Sequence, residues 1–284
     1  MIITQIRGGL GNQFFGYATS YALAHKKNTK LILDDYRYAT SYKLRDFQLL
    51  DYNITYRDTY SNKPSEGKIA QVLYRVWARI KRYILNRCIV VREEKEFQTM
   101  KFDFPASRNA YLLGYWQSHE YFDQYRADLQ SEFTLSNVRE DVAEAAKEIK
   151  HGNYCAVHVR RGDYSTFKGG KCLDESYYLE AISIIKRKNP DSKFLFFSDD
   201  LDYCKSELMD DRSETVEYLN ASDEEELFLM SNCSSFIIAN SSFSWWGAYL
   251  SNNLNSQVIC PVVDMWKRSF YPDTWTPIDA KIRH

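Results

Sequence analysis

From residue 153 onward, short apolar runs alternate with segments of helical period, and that alternation restricts the chain to an α/β fold with a parallel sheet. Asn153–Val159, Lys193–Phe197, Thr215–Tyr218, Ser234–Ala239 and Gln257–Cys260 are predicted strands. The predicted helices between them are Asp174–Asn189, capped by Asp174 and stopped by Pro190, then Leu201–Met209, Ser222–Met230 and Trp245–Asn252. The opening follows the same order, with a strand over Met1–Ile6, a helix over Phe14–Lys27 and a strand at Leu31–Leu33. Two such halves predict two Rossmann-like domains with a cleft between them. His151-Gly152-Asn153 marks the boundary, giving domains 1–151 and 152–284, with the last helix expected to pack back on the first domain.

The middle of the chain is less regular. Tyr111–Trp116 reads as a strand, and Tyr121–Glu132 and Val138–Lys150 as helices. Ile69–Leu85 has an apolar stripe of Val72, Leu73, Val76, Trp77, Ile80 and Ile84, and a basic stripe of Arg75, Arg79 and Arg82. Such a helix is either a packed helix with a solvated face or a surface that meets an anionic membrane. The whole chain, with 37 basic and 38 acidic residues, has a net charge of −1, which argues against a nucleic-acid partner. The six cysteines form no CxxC pair and read as reduced thiols, which favours the cytosol. With no long apolar run and a strand rather than a signal peptide at the start, a cytoplasmic protein is expected.

Polar chemistry collects where the strands end. Tyr154–Val159 discharges into Arg160-Arg161-Gly162-Asp163, with His158 just before it. In open α/β sheets ligands bind outside the carboxyl ends of the strands, and adjacent guanidiniums suit phosphate oxygens. An ion-pair network is the competing reading. Ser198-Asp199-Asp200 and Asn240 to Ser244 stand at two further strand ends. Carboxylates there can accept from ribose hydroxyls or a guanine edge, and serines at a helix start can hold phosphate, or they are ordinary helix caps. Together the three ends suit a nucleoside diphosphate. Near the start, Gly8-Gly9-Leu10-Gly11 approaches a dinucleotide fingerprint without matching it. Its glycines let backbone approach a ligand, with the amides of Asn12 and Gln13 beside them. A tight turn capped by Asn12 explains the same residues.

Gly8 to Phe15, His158 to Tyr164, Phe197 to Asp200 and Ser241-Ser242-Phe243-Ser244-Trp245-Trp246-Gly247-Ala248 together resemble glycosyltransferase family 11, the inverting α-1,2-fucosyltransferases. The resemblance spans nearly the whole chain. It implies a GT-B fold that transfers L-fucose from GDP-β-L-fucose to the 2-hydroxyl of a terminal β-galactose, with the donor bound mainly by the second half. A fucosyltransferase of other linkage, or a non-catalytic nucleotide-sugar or glycan-binding protein, is the alternative. It also implies that Arg160 holds the β-phosphate, His158 lies against the guanosine, and Asp199 or Asp200 recognises guanine. Ser241, Ser242 and Ser244 are expected along the phosphates, with Gly11, Gln13, Arg161, Ser198 and Phe243 completing the donor site. Asn12, Gln13 and Trp116 are expected on the acceptor. A lipid-linked acceptor would give the Arg75–Arg82 helix a reason to dock on the inner membrane face.

Charge sets the expected mechanism. Departure of GDP builds negative charge, which fixed guanidiniums can neutralise in place of a divalent ion. Asp200-Leu201-Asp202 spells DxD, the metal-dependent signature, yet the arginine pair already supplies the cation, so no metal is expected. Asp163 is the candidate base for the galactose hydroxyl, and Asn12 a candidate catalytic residue through acceptor positioning. Arg160 and Arg161 would depress the Asp163 pKa, which favours an orienting role over base catalysis.

Overall fold

The computed structural model of the chain describes residues 1–40, 46–59, 76, 87–166, 171–253, 256–264, 266 and 268–283. The predicted basic helix over Ile69–Leu85, including Arg75, Arg79 and Arg82, lies almost wholly outside them. Two compact units emerge, Met1–Glu132 and Phe133–His284. The boundary expected after residue 151 therefore falls inside the second unit. The helix before it explains why: it buries Val142, Ala145, Ala146 and Ile149. Arg139, just ahead of that helix, donates to the Leu219 carbonyl at 2.7 Å and reaches Glu225 at 3.4 Å, both in the second unit.

The first unit is a four-stranded parallel sheet in the order β2-β1-β4-β3, with β1 Ile2–Gln5, β2 Leu31–Asp34, β3 Ile89–Arg92 and β4 Ala110–Leu113. The edge strand β3, half-buried on alternate residues, was not expected from the sequence. Helix α1, Leu10–Lys26, is buried along nearly its whole length, which its apolar and small residues permit on every face. Helix α2 spans Tyr36–Thr40 and α3 spans Arg126–Glu132. The buried carboxylate of Glu132 accepts from the Thr55 amide at 2.7 Å and from the hydroxyls of Tyr17 and Thr55, so it ends α3 with both oxygens hydrogen-bonded.

The second unit holds a six-stranded parallel sheet in the order β10-β9-β8-β5-β6-β7. Its strands are β5 Tyr154–Val159, β6 Lys193–Ser198, β7 Ser213–Thr215, β8 Ser235–Ile237, β9 Gln257–Val262 and β10 Thr276–Asp279. Its helices are α4 Glu140–His151, α5 Gly162–Ser165, α6 Glu175–Lys188, α7 Leu201–Glu207, α8 Asp223–Ser231 and α9 Ser242–Tyr249. The expected alternation is present throughout. Strand β7 lies earlier than the predicted Thr215–Tyr218, because Glu217–Leu219 turn as a 3-10 helix. The expected last helix is absent from the described residues. There the chain ends instead in β10, an edge strand that tolerates Pro277 and pairs with β9 in the same sheet.

Candidate functional site

At the centre of the second sheet β5 lies between β8 and β6, so three polar strand ends are neighbours. His158, only 6 % exposed, belongs to the strand interior. Burial and the nearby Arg160 pull its pKa down to about 3, so the imidazole is neutral. Its Nδ1 is buried without a hydrogen-bond partner, and its ring stands 5.6 Å from that of Phe243.

Both arginines that follow are paired. Arg160 donates from Nη2 to Asp163 Oδ1 at 2.7 Å, and its Nη1 lies 2.9 Å from Asp199 Oδ2. Arg161 donates from Nε to Asp200 Oδ2 at 2.9 Å and from its backbone N–H to Asp199 Oδ1 at 2.8 Å. Its guanidinium lies 3.7 Å above the Tyr203 ring, and its Nη1 is buried without a partner. The hydrogen bond from Arg161 holds the Asp200 carboxyl below the usual carboxylate range. The ion-pair network that competed with a phosphate grip is thus present on these residues, and it holds both guanidiniums in fixed orientations. Gly162 makes this possible, since a Cβ there would meet Asp199 Oδ2 at 2.6 Å.

Asp200 is fully engaged, as partner of Arg161 and as the N-cap of α7, where it accepts from the Tyr203 N–H at 3.1 Å. Ser198 Oγ accepts from the Asp200 N–H at 3.0 Å, so it shapes this turn. Asp200 is thereby drawn away from the DxD pattern. Among the described residues no three His, Cys, Asp or Glu side chains stand where they could share a metal ion.

The serines divide in role. Helix α9 begins three residues before the predicted Trp245, because Ser241 is its cap, accepting from the Phe243 N–H at 3.3 Å. Ser242 and Phe243 are half-buried at the helix start, whereas Ser244 is fully buried and donates to the Ser241 carbonyl at 3.4 Å. Behind them Trp245 stacks on Tyr249, with ring centroids 4.6 Å apart, which anchors the helix start in the core.

One group was not anticipated. Glu226 on α8 is half-buried, and burial together with the negative charges of Asp223 and Asp199 raises its pKa to about 7. The acidic run 223–226 reads as a helix start, and Ser222 with Glu225 does form the capping box there. The available signal was spacing: Glu226 shares a helical face with Leu229 and Met230, both fully buried.

In the first unit Gly8 has φ 75°, a left-handed conformation, and a Cβ there would meet Asn12 Nδ2 at 2.6 Å. Gly9, not Asn12, is the N-cap of α1, so Gly11, Asn12 and Gln13 occupy its first turn. Asn12 accepts from Gln117 Nε2 at 2.8 Å. Gln13 is fully buried, donating to the Asp46 and Gly8 carbonyls at 2.8 and 3.3 Å and accepting from the Gln48 N–H at 3.0 Å. With its amide filled, Gln13 shapes the loop and is not available to donor or acceptor. Trp116 is also fully buried, with φ 58°, and its ring offers no surface to an acceptor. The second unit therefore collects His158, Arg160, Arg161, Asp163, Ser198, Asp199, Asp200 and Ser241 to Ser244; the first holds Gly11, Asn12, Gln13 and Trp116.

This arrangement has known counterparts. The profile of glycosyl transferase family 11 matches residues 1–276. The chain is 32% identical over 260 residues to an Escherichia coli alpha-1,2-colitosyltransferase, covering 89% of this chain and 88% of that one. It is also 32% identical to the E. coli O-antigen biosynthesis glycosyltransferase WbnK, covering 90% and 92%. The Bos taurus galactoside 2-alpha-L-fucosyltransferase SEC1 is 24% identical, with 86% of this chain and 63% of that one covered. Among solved structures, E. coli ADP-heptose LPS heptosyltransferase II superposes with a TM-score of 0.52 at 9% identity, covering 98% of this chain and 89% of that one. The two-unit architecture is the GT-B fold. The chain belongs to glycosyl transferase family 11.

Proposed function

We propose that this glycosyltransferase moves L-fucose from GDP-β-L-fucose to the 2-hydroxyl of a terminal β-galactose, inverting the anomeric carbon and using no metal ion. The observation that carries the reading is the fixed pair Arg160 and Arg161 on neighbouring carboxylates, flanked by a neutral buried imidazole and a helix start. The half-buried Phe243 ring, backed by His158 at 5.6 Å between centroids, is the surface proposed for the base. Glu226, when ionised, accepts from the N1–H and N2–H₂ of guanine, a task that the paired Asp199 and Asp200 leave open. Ser242, at the start of α9, faces the phosphates.

In the transfer step galactose O2 forms a bond to fucose C1, the bond from C1 to the β-phosphate oxygen breaks, and GDP leaves with the electron pair. Arg160 neutralises that departing charge, a contribution typically worth 10²–10³ in kcat. The O2 proton passes to solvent water as the new bond forms, while Asp163, whose carboxylate accepts from Arg160 at 2.7 Å, orients that guanidinium. Asn12, in the first turn of α1, serves the acceptor, and the neighbouring Gly11 backbone serves the donor. The free cysteines fit a cytoplasmic enzyme, and no helix among the described residues is long and apolar enough to cross a membrane.

A second reading, colitosyl transfer, is favoured by the 32% identical E. coli relative bearing that name. Colitose lacks the 3-hydroxyl of fucose, and a site built to bond that hydroxyl rejects the deoxy sugar by on the order of 10⁴-fold. Incubating the protein with GDP-fucose or GDP-colitose and a β-galactoside in EDTA separates the readings. Galactoside-dependent release of GDP from GDP-fucose is expected. A strict divalent-ion requirement contradicts the arginine-only account, and turnover of GDP-colitose alone contradicts fucose as the donor sugar.

A further inference from the structure

The carboxyl ends of β1, β3 and β4, with Arg37 of α2, surround a cavity of about 630 Å³, within the range of ligand sites. Three of its walls carry arginines: Arg7 after β1, Arg37 after β2 and Arg92 at the end of β3. Elsewhere Arg139, Arg160, Arg161, Arg268 and Arg283 each have a carboxylate within salt-bridge distance. Among the described residues, none of the three cavity arginines does. Arg7 and Arg37 are half-buried, and the Nε of Arg7 is buried without a hydrogen-bond partner, so a desolvated donor awaits an acceptor.

Carboxylates also stand in this wall, and their engagement matters. Glu93 accepts from the Tyr115 and Trp116 N–H groups at 2.7 and 3.0 Å, which engages both of its carboxylate oxygens. Glu94 and Glu96 are exposed at the rim, where water screens them. The wall is rigid as well. Gly114 lets the Glu93 side chain approach to where a Cβ would meet it at 2.5 Å, and Trp116 is held in its left-handed conformation behind it. The Arg7 guanidinium lies 5.5 Å from the centre of the Tyr115 ring, which orients its fork. Planar forks that have no carboxylate partner among the described residues match an oxyanion better than neutral hydroxyls.

We infer that this cavity binds an acidic group, a phosphate or a carboxylate, carried by the acceptor glycan on a residue other than the galactose that is modified. The inference rests on the proposed transfer reaction, and it makes the natural acceptor an anionic saccharide.

The test uses three acceptors with the same terminal β-galactose: a neutral disaccharide, that disaccharide with a phosphate at its reducing end, and that disaccharide with a uronic acid as inner sugar. Each is assayed with wild type, Arg7→Gln and Arg92→Gln; Arg92 is exposed, so its replacement leaves the fold intact. At least one acidic acceptor is expected to show a KM about tenfold below the neutral one, and the acceptor that gains identifies the source of the charge. Both substitutions should erase that difference by raising the acidic KM, with the neutral KM and every kcat unchanged. Calorimetric titration of the acidic disaccharides without donor reads the cavity independently of turnover. Equal KM values and no acid binding on wild type, with the neutral acceptor still turned over, overturn the inference and leave the reaction standing. Acid binding that depends on Arg92 without turnover of any acceptor overturns the reaction and supports the cavity.

Discussion

Arg160 holds two carboxylates at once, and that double pairing decides what each substitution around it does. Arg160→Ala should lower kcat by roughly 10²–10³ while the protein stays folded, because the leaving charge loses its counter-ion. Asp163→Asn removes only one of the two groups that aim the guanidinium. We expect a kcat loss of about tenfold or less, with the pH–rate profile unshifted; loss of a titrating limb would restore Asp163 as the base. Glu226 gives the site a pH dependence of definite sign. In the proposed role Glu226 binds guanine in its ionised form, and its pKa is raised to about 7, so GDP-fucose binding should strengthen as pH rises through that value and level off above it. GDP-fucose has no phosphate group titrating there, and Glu226→Gln should flatten the curve; an unchanged pH dependence in the variant removes Glu226 from base recognition. That Arg160, Arg161 and His158 gather at the end of a buried strand was legible in the sequence, because the apolar run stops where the charges begin. Glu226 was not legible, because one buried carboxylate within an acidic helix start looks like its neighbours. Gln13 and Trp116 misled for the opposite reason: amides and indoles that suit ligands also satisfy loops and cores.

At the scale of elements, the alternation in the second half translated directly into β5 to β9 and α6 to α9, with boundaries displaced by a few residues. Caps explain the displacements. Ser241 starts α9 before its apolar stretch begins, and the turn at Glu217–Leu219 moves β7 upstream. Edge strands β3 and β10 escaped because they bury little and carry, in β10, a proline. The contact of α8 with α9 is set by one missing side chain: a Cβ on Gly247 would meet Met230 Sδ at 2.3 Å and Cγ at 2.8 Å, and Met230 is itself fully buried. Gly247→Ala should therefore destabilise by about 1–3 kcal/mol, seen as a Tm lower by several degrees. An unchanged or raised Tm would show that Met230 yields freely.

For the whole molecule, the sequence predicted two α/β halves, and the structure has two parallel-sheet units. The divide was misplaced because α4 ends in a glycine that resembles a linker, while its apolar face belongs to the second unit. Family membership supplies the reaction class, and in the proposed mechanism the paired arginines take the place of a metal ion. The central claim is the bond that is made. The product formed from GDP-fucose and a terminal β-galactoside should show, by NMR, an α-configured fucose attached at galactose C2. Fucose attached to any other carbon, or in the β configuration, contradicts the account.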